Sequence, residues 1–275
     1  MKQSILLFSI FSLLFFSCQK EQASNQQLNV SNSKIVDLSH SYSPETVYWV
    51  TAKEFKMDTV FQGRTDKGYY YSAYNFETAE HGGTHIDAPI HFAEGAKTVD
   101  QIPLKNLIGA AIKIDVSANA LNNPDYLVTV DDLKAWEEKH SQQIPNGSIV
   151  LLQTGFSTYY PNKVKYMGTD ERGDQAVELL HFPGLSPEAA TWITVNRKIH
   201  SIGIDTPSID YGQSEFFKSH VVLLSEQIPA FENLTNLDKL PEIGFEIIAL
   251  PMKIKGGSGA PLRIVAMINE GIHTL

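Results

Sequence analysis

His81-Gly82-Gly83-Thr84-His85-Ile86-Asp87-Ala88-Pro89-Ile90-His91-Phe92 decides how the rest of this 275-residue chain is read. Three imidazoles and one carboxylate fall within eleven positions, all at odd numbers, so an extended segment would turn them to one face. Held straight, the stretch would span about 33 Å at ~3.3 Å per residue. The ligands of one metal ion sit only about 2 Å from it, so the chain has to bend. It carries the residues for bending: Gly82 and Gly83 permit positive φ and close backbone approach, and Pro89 breaks a regular ladder or helix. The same residues exclude a helical His-x-x-x-His arrangement. A lone His is most often a satisfied loop residue. Three of them with an Asp around a Gly-Gly turn form a donor set, and imidazole with carboxylate suits a divalent ion such as zinc or manganese.

The pattern His-x-Gly-Thr-His-x-Asp-x-Pro-x-His-Phe, complete here from His81 to Phe92, resembles the signature of the bacterial cyclase-type metal hydrolases. Kynurenine formamidase and isatin hydrolase belong to that family. Further matches lie at Asp37-Leu38-Ser39 with Trp49 downstream, at Gly203-Ile204-Asp205-Thr206-Pro207-Ser208, and at Gly256-Gly257-Ser258-Gly259-Ala260-Pro261. The resemblance thus runs through nearly the whole chain beyond its N-terminal segment. It implies a fold of α/β class, a single compact domain with a central barrel-like β structure.

The N-terminus has a different character. One Lys at position 2, an apolar run over 5–16 and then Ser17-Cys18 read as an export signal. The run is too short for a membrane span, which needs about 20 apolar residues. Cys18 is the one cysteine of the chain, and its place resembles that of the lipidated cysteine in bacterial lipoproteins. The expected organisation is a signal peptide over 1–17, a lipidated flexible tether rich in Gln, Asn and Ser over 18–33, and the hydrolase domain over 34–275. That organisation places the protein outside the cytoplasm, lipid-anchored in the bacterial cell envelope on its periplasmic or surface face. The formal net charge is −9, and subtracting the +1 of Lys2 gives −10. With no cluster of Lys and Arg, neither nucleic acid nor an anionic membrane surface is an expected partner, and membrane contact is expected through the lipid alone.

Along the chain, strands are expected over 34–40, 69–76, 110–116, 148–154, 201–205, 221–224, 245–250 and 263–268. The strand at 69–76 should feed the metal motif, and the uninterrupted apolar run at 148–154 should be buried on both faces. Thr129 caps a helix over 129–140, and Ser186-Pro187-Glu188 opens another. The polar stretch 159–173 reads as a pocket loop, and 255–261 as a tight connection between the last two strands.

The remaining site residues come from the resemblance. It assigns His81, His85 and Asp87 to one ion and Asp87, His220 and Glu232 to a second, with Asp87 and Glu232 bridging. His91 then acts as the acid/base, and Trp49 lines the substrate pocket. Asp205 and Asp210 read as groups that orient the ligand imidazoles. His40, His140, His181, His200 and His273 carry no motif and are expected to be structural, and no Gly-x-Ser-x-Gly elbow makes Ser208 a nucleophile. The implied activity is metal-dependent cleavage of a C–N amide bond in an aromatic substrate, N-formylkynurenine or an analogue. The alternative within the class is opening of a cyclic amide or lactone, as by isatin hydrolase; from another class, a non-catalytic lipoprotein that binds metal or a small ligand. A small aromatic amide or lactam as substrate and assembly into a homo-oligomer, dimer or tetramer, complete the expectation.

Overall fold

The apolar run at 149–153 is buried at every residue, and its two faces belong to different layers. Ile149 and Leu151 join one hydrophobic cluster, while Val150 and Leu152 join another that contains helix residues. A strand with an inner and an outer apolar face is what the wall of a barrel wrapped in helices requires.

The computed structural model describes residues 33–269, so the export segment, most of the tether and His273 lie outside the described residues. The elements are β1 (Ser33–Asp37), β2 (Lys56–Arg64), β3 (Tyr70–Glu77), β4 (His85–Asp87), β5 (Ile108–Asp115), α1 (Ser117–Ala120), β6 (Leu127–Val128), α2 (Val130–His140), β7 (Ile149–Gln153), α3 (Lys163–Met167), β8 (Gly184–Leu185), α4 (Pro187–Asn196), β9 (Ser201–Ile204), α5 (Lys218–Ser225), β10 (Ala230–Glu232), β11 (Phe245–Pro251) and β12 (Gly259–Asn269). The main sheet has the order β1-β12-β11-β5-β7-β9-β10-β4, and β12 pairs again with β4. That second pairing closes seven strands into a barrel, with β1 added to the outside of β12. The fold is therefore a mixed α/β domain with a closed barrel. β5, β7, β9 and β10 run parallel, and the other pairs of the ring are antiparallel. Phe231, Ile247, Leu262 and Ile264 help fill the barrel; α2, α4 and α5 cover its parallel side through Leu133, Ile193 and Leu223.

β12 begins four residues earlier than its sequence announces, because Gly259, Ala260 and Pro261 pair with Asp87, Ile86 and His85. Gly259 is needed there: a Cβ would lie 2.5 Å from both His81 Cε1 and the Ile86 carbonyl oxygen. The helices at α2 and α4 start where expected, with the Thr129 and Ser186 side chains accepting from Asp132 N and Ala189 N.

Three expectations are corrected. Residues 221–224 form part of helix α5 rather than a strand. The Asp210 carboxylate accepts from the backbone N–H groups of Ser219 and His220, each at 3.0 Å, and so caps the first turn from a distance. The strand expected at 69–76 exists as β3, but among the described residues it pairs only with β2, a strand not anticipated, in a separate two-stranded sheet. The stretch 159–173 contains α3 and packs Tyr160 against His40 and Tyr166 into the core; none of it lines the cavity described below.

Candidate active site

β4 and β10 run side by side with Glu232 opposite His85 and Ala230 opposite Asp87. Ile86 and Phe231 point into the barrel. Strand alternation therefore turns His85, Asp87 and Glu232 to the outer face of the wall, where α5 lies over them and supplies His220. His81 arrives from the turn before β4. Gly82 makes that turn possible, with φ +155° and the Tyr48 ring where a Cβ would stand, 2.0 Å from Cδ1. The Tyr42 hydroxyl lies 2.7 Å from the Gly82 carbonyl oxygen and 2.8 Å from that of Thr84, which pins the turn from the other side.

The five side chains converge. Asp87 Oδ1 lies 2.6 Å from His81 Nδ1 and 3.3 Å from His85 Nε2, and Asp87 Oδ2 lies 3.0 Å from His220 Nε2. Glu232 reaches two of the same imidazoles, Oε1 at 3.1 Å from His220 Nε2 and Oε2 at 3.4 Å from His85 Nε2. Donor atoms of His81, His85 and Asp87 lie within 4.8 Å of one another, and so do those of Asp87, His220 and Glu232.

The chemistry of this set fits a cation. His85 Nδ1 donates to the Gly83 carbonyl oxygen at 2.9 Å, and His220 Nδ1 donates to the Asp210 carboxylate at 2.7 Å. Ser258 gives its hydroxyl hydrogen to Glu80 Oε2 at 2.7 Å, so it accepts from His81 Nε2–H at 2.9 Å. Each outward nitrogen therefore carries the hydrogen of the neutral ring. In the neutral ring each inward nitrogen would present a lone pair to carboxylate oxygens, an arrangement that needs positive charge between them. Protonation answers the same need: burial opposes charge on His85, yet Asp87 and Glu232 raise its pKa to about 10. Burial likewise opposes charge on His220, and its carboxylate partners raise it well above the ordinary value. Burial opposes ionisation of Asp87, but the imidazoles hold it well below the usual carboxylate range. A divalent ion would replace those protons.

A cavity of about 270 Å³ opens on this cluster, lined by His81, His85, Asp87, His220 and Glu232 together with Trp49, Phe92 and Phe217. Trp49 stands edge-on to Phe217 and Phe182, with centroids 5.9 Å and 6.4 Å away. His91, in the single turn Pro89–His91 after β4, lines the same cavity and stacks on His81 at 3.8 Å. Burial lowers its pKa to about 4, so it is neutral at pH 7.

All seven residues singled out by the sequence thus share one cavity. Of the two aspartates read as orienting groups, Asp210 holds His220. Asp205 instead accepts from Thr154 N, Thr154 Oγ1 and Gly155 N and shapes the turn after β7. Sequence reasoning left Glu80, Ser258 and Phe217 without roles. Glu80 adjoins His81 and Ser258 lies in the matched Gly-rich stretch, but only β12 pairing with β4 shows that they meet. Nothing local marks Phe217.

The chain matches the family profile described as "Putative cyclase" over residues 36–211. It is 33% identical over 197 residues to isatin hydrolase of Roseibium aggregatum, covering 69% of this chain and 72% of that one. It is 29% identical over 232 residues to kynurenine formamidase of Salinibacter ruber, covering 84% and 96%. Among solved structures it is similar to isatin hydrolase A from Ralstonia solanacearum, with TM-score 0.77 and 34% identity over 86% of this chain and 92% of that one.

Proposed function

The chain belongs to the putative cyclase family, and from that premise we propose a metal-dependent hydrolase that breaks the C–N amide bond of a small aromatic substrate. The observation that carries this reading is the convergence of three imidazoles and two carboxylates, with every outward imidazole nitrogen held by an oxygen acceptor, beside an aromatic-walled cavity. His81, His85 and Asp87 are proposed to hold one divalent ion and Asp87, His220 and Glu232 another, zinc or manganese by their donor chemistry. Ions so held supply Lewis acidity, both for activating water and for charge developing on the carbonyl oxygen. The chain's own residues do the rest. Asp87 and Glu232 each span at least two imidazoles and fix the cluster. Neutral His91 takes up a proton at the cavity wall and passes it to the leaving nitrogen. Trp49, Phe92 and Phe217 pack the aryl group and exclude water.

Two substrates fit this chemistry. An open-chain N-formyl arylamine such as N-formylkynurenine is supported by the match spanning 96% of a kynurenine formamidase. A lactam such as isatin is supported by the higher identity, 33–34%, to isatin hydrolases. Both relatives are hydrolases by name, which leaves a purely binding role without support. Metal-loaded protein tested on N-formylkynurenine and on isatin is expected to turn over at least one. No turnover of either would sink the proposed substrate class.

Ser258→Ala removes the acceptor that fixes the His81 tautomer. It should weaken divalent-metal affinity by about 10–100-fold, the usual effect of losing a group that orients a ligand imidazole. Chelator competition measures this, and unchanged affinity would mean that the Glu80–Ser258–His81 chain does not orient a ligand.

The proposal extends to place and assembly. Cys18 is lipidated and tethers the domain to the cell envelope, supported by a lone cysteine at the end of an apolar export segment. Mass spectrometry of the mature N-terminus should find a lipid-modified Cys18; an unmodified residue there, or a different start, refutes it. Assembly into a homo-oligomer is supported by large apolar side chains left exposed on β2 and β3.

A further inference from the structure

The turn that carries Trp49 has no sheet or helix to hold it. Residues 49–55 lie between the isolated bridge Tyr48↔Gly82 and the start of β2 and belong to no regular element. Yet this turn supplies two residues of the cavity wall, Trp49 and Ala52. It closes on itself through Ala52 N–H, which donates to the Trp49 carbonyl oxygen at 2.9 Å. Among the described residues, the other hydrogen bonds to Trp49–Ala52 come from two chain neighbours. Gly173 N–H donates to the Val50 carbonyl oxygen at 3.0 Å. Arg172 Nη1 donates to the Trp49 carbonyl oxygen at 3.2 Å, and Arg172 Nη2 donates to that of Ala52. The guanidinium thus grips both ends of the turn, which a planar fork of donors allows and a single ammonium does not.

Arg172 works from a fixed base. Val50 is buried in one cluster with Ala176 and Leu180, which follow Arg172 in the chain, and with Phe182, to which Trp49 stands edge-on. Glu54, just beyond the turn, faces Arg172 Nη1 at 3.6 Å and accepts from Lys163 Nζ at 2.7 Å. Arg172 itself is exposed and does not line the cavity. An exposed ion pair adds little to folding stability, so the main effect of the fork is on where the turn sits.

We propose that Arg172 is a positioning residue for the hydrolysis: by holding the Trp49 and Ala52 carbonyls it fixes the Trp49 indole against Phe182 and Phe217 and keeps the aryl wall of the cavity in its binding shape. The assignment rests on the proposed function above and extends it to a residue outside the cavity. A loop already held in its bound shape spares the substrate the cost of ordering it. Loss of the fork therefore falls first on substrate affinity and only then on the chemical step.

The test is steady-state kinetics of the metal-loaded full chain on whichever of N-formylkynurenine and isatin the wild type turns over. Arg172→Ala, Trp49→Ala and the double variant are compared. Arg172→Ala should raise KM about 10-fold, with a smaller change in kcat and full metal content. In the Trp49→Ala background the same change should add less than about twofold, because residues that act through one another are not additive. Arg172→Lys keeps the charge beside Glu54 but not the fork, so it should raise KM nearly as far; it also serves if Arg172→Ala does not fold. An unchanged KM with a lowered melting temperature would make Arg172 a structural clamp only and overturn the proposal. Effects on KM that multiply in the double variant would overturn it too, since Arg172 would then act apart from Trp49. Loss of metal from Arg172→Ala would do the same, by placing its effect on the ligand cluster. A wild type that turns over neither substrate defeats the proposed function itself, and this positioning role with it.

Discussion

Asp87→Asn is expected to empty the site of divalent metal and to lower hydrolysis by at least about 10³-fold. Asp87 is the residue whose carboxylate faces three of the imidazoles, His81, His85 and His220, at 2.6–3.3 Å. It belongs to both groups of donor atoms, so removing its charge weakens both positions at once. Lewis acidity at a carbonyl is worth several kcal/mol, and each ~1.4 kcal/mol is tenfold in rate, which sets the expected floor. The amide keeps the shape of the side chain, so the effect is one of charge rather than packing. Elemental analysis and turnover on the same preparation check it. An Asp87→Asn variant that keeps its full metal content would remove Asp87 from the ligand set.

His91→Ala should behave differently. The five other side chains already form both donor groups without it. His91 touches the cluster by stacking on His81, with ring centroids 3.8 Å apart, and faces the cavity. As an acid/base it should cost about 10²–10⁴ in kcat when removed, the usual worth of one positioned proton-transfer group, with metal content unchanged. Single-turnover rate and metal analysis measured together decide the matter. Metal and rate falling in parallel would make His91 a ligand. The low pKa adds a pH signature: burial holds His91 at about 4. Its base form therefore persists down to about pH 4, and protonation of this group should not by itself depress the rate between about pH 5 and 8.

What the sequence disclosed followed from how local each signal was. The turn from His81 to His91 was legible because its residue types and its bending residues sit together in one short stretch. Helices α2 and α4 were legible because Thr129 and Ser186 cap them from within. The inner and outer faces of β7 were legible in an unbroken apolar run. The helical state of 221–224 was hidden because its cap is the Asp210 carboxylate, brought from nine and ten residues upstream of the N–H groups it receives. Four apolar residues in a row do not distinguish strand from helix. The barrel was legible only through the resemblance, because β12 meets β4 across more than 170 residues of chain, and the same contact builds the Glu80–Ser258–His81 chain. His220 and Glu232 could be placed only by resemblance, since neither stands in a local motif of its own. Their common position depends on β10 lying beside β4 and α5 lying over both.

The central claim is that a divalent ion held by this cluster is required for amide hydrolysis. Its most direct test is to strip the chain with a chelator, add back zinc or manganese in steps, and follow hydrolysis of N-formylkynurenine and isatin against bound metal. The account predicts no turnover by the stripped chain and a rate that rises in proportion to bound ion. Undiminished turnover by metal-free protein would contradict it.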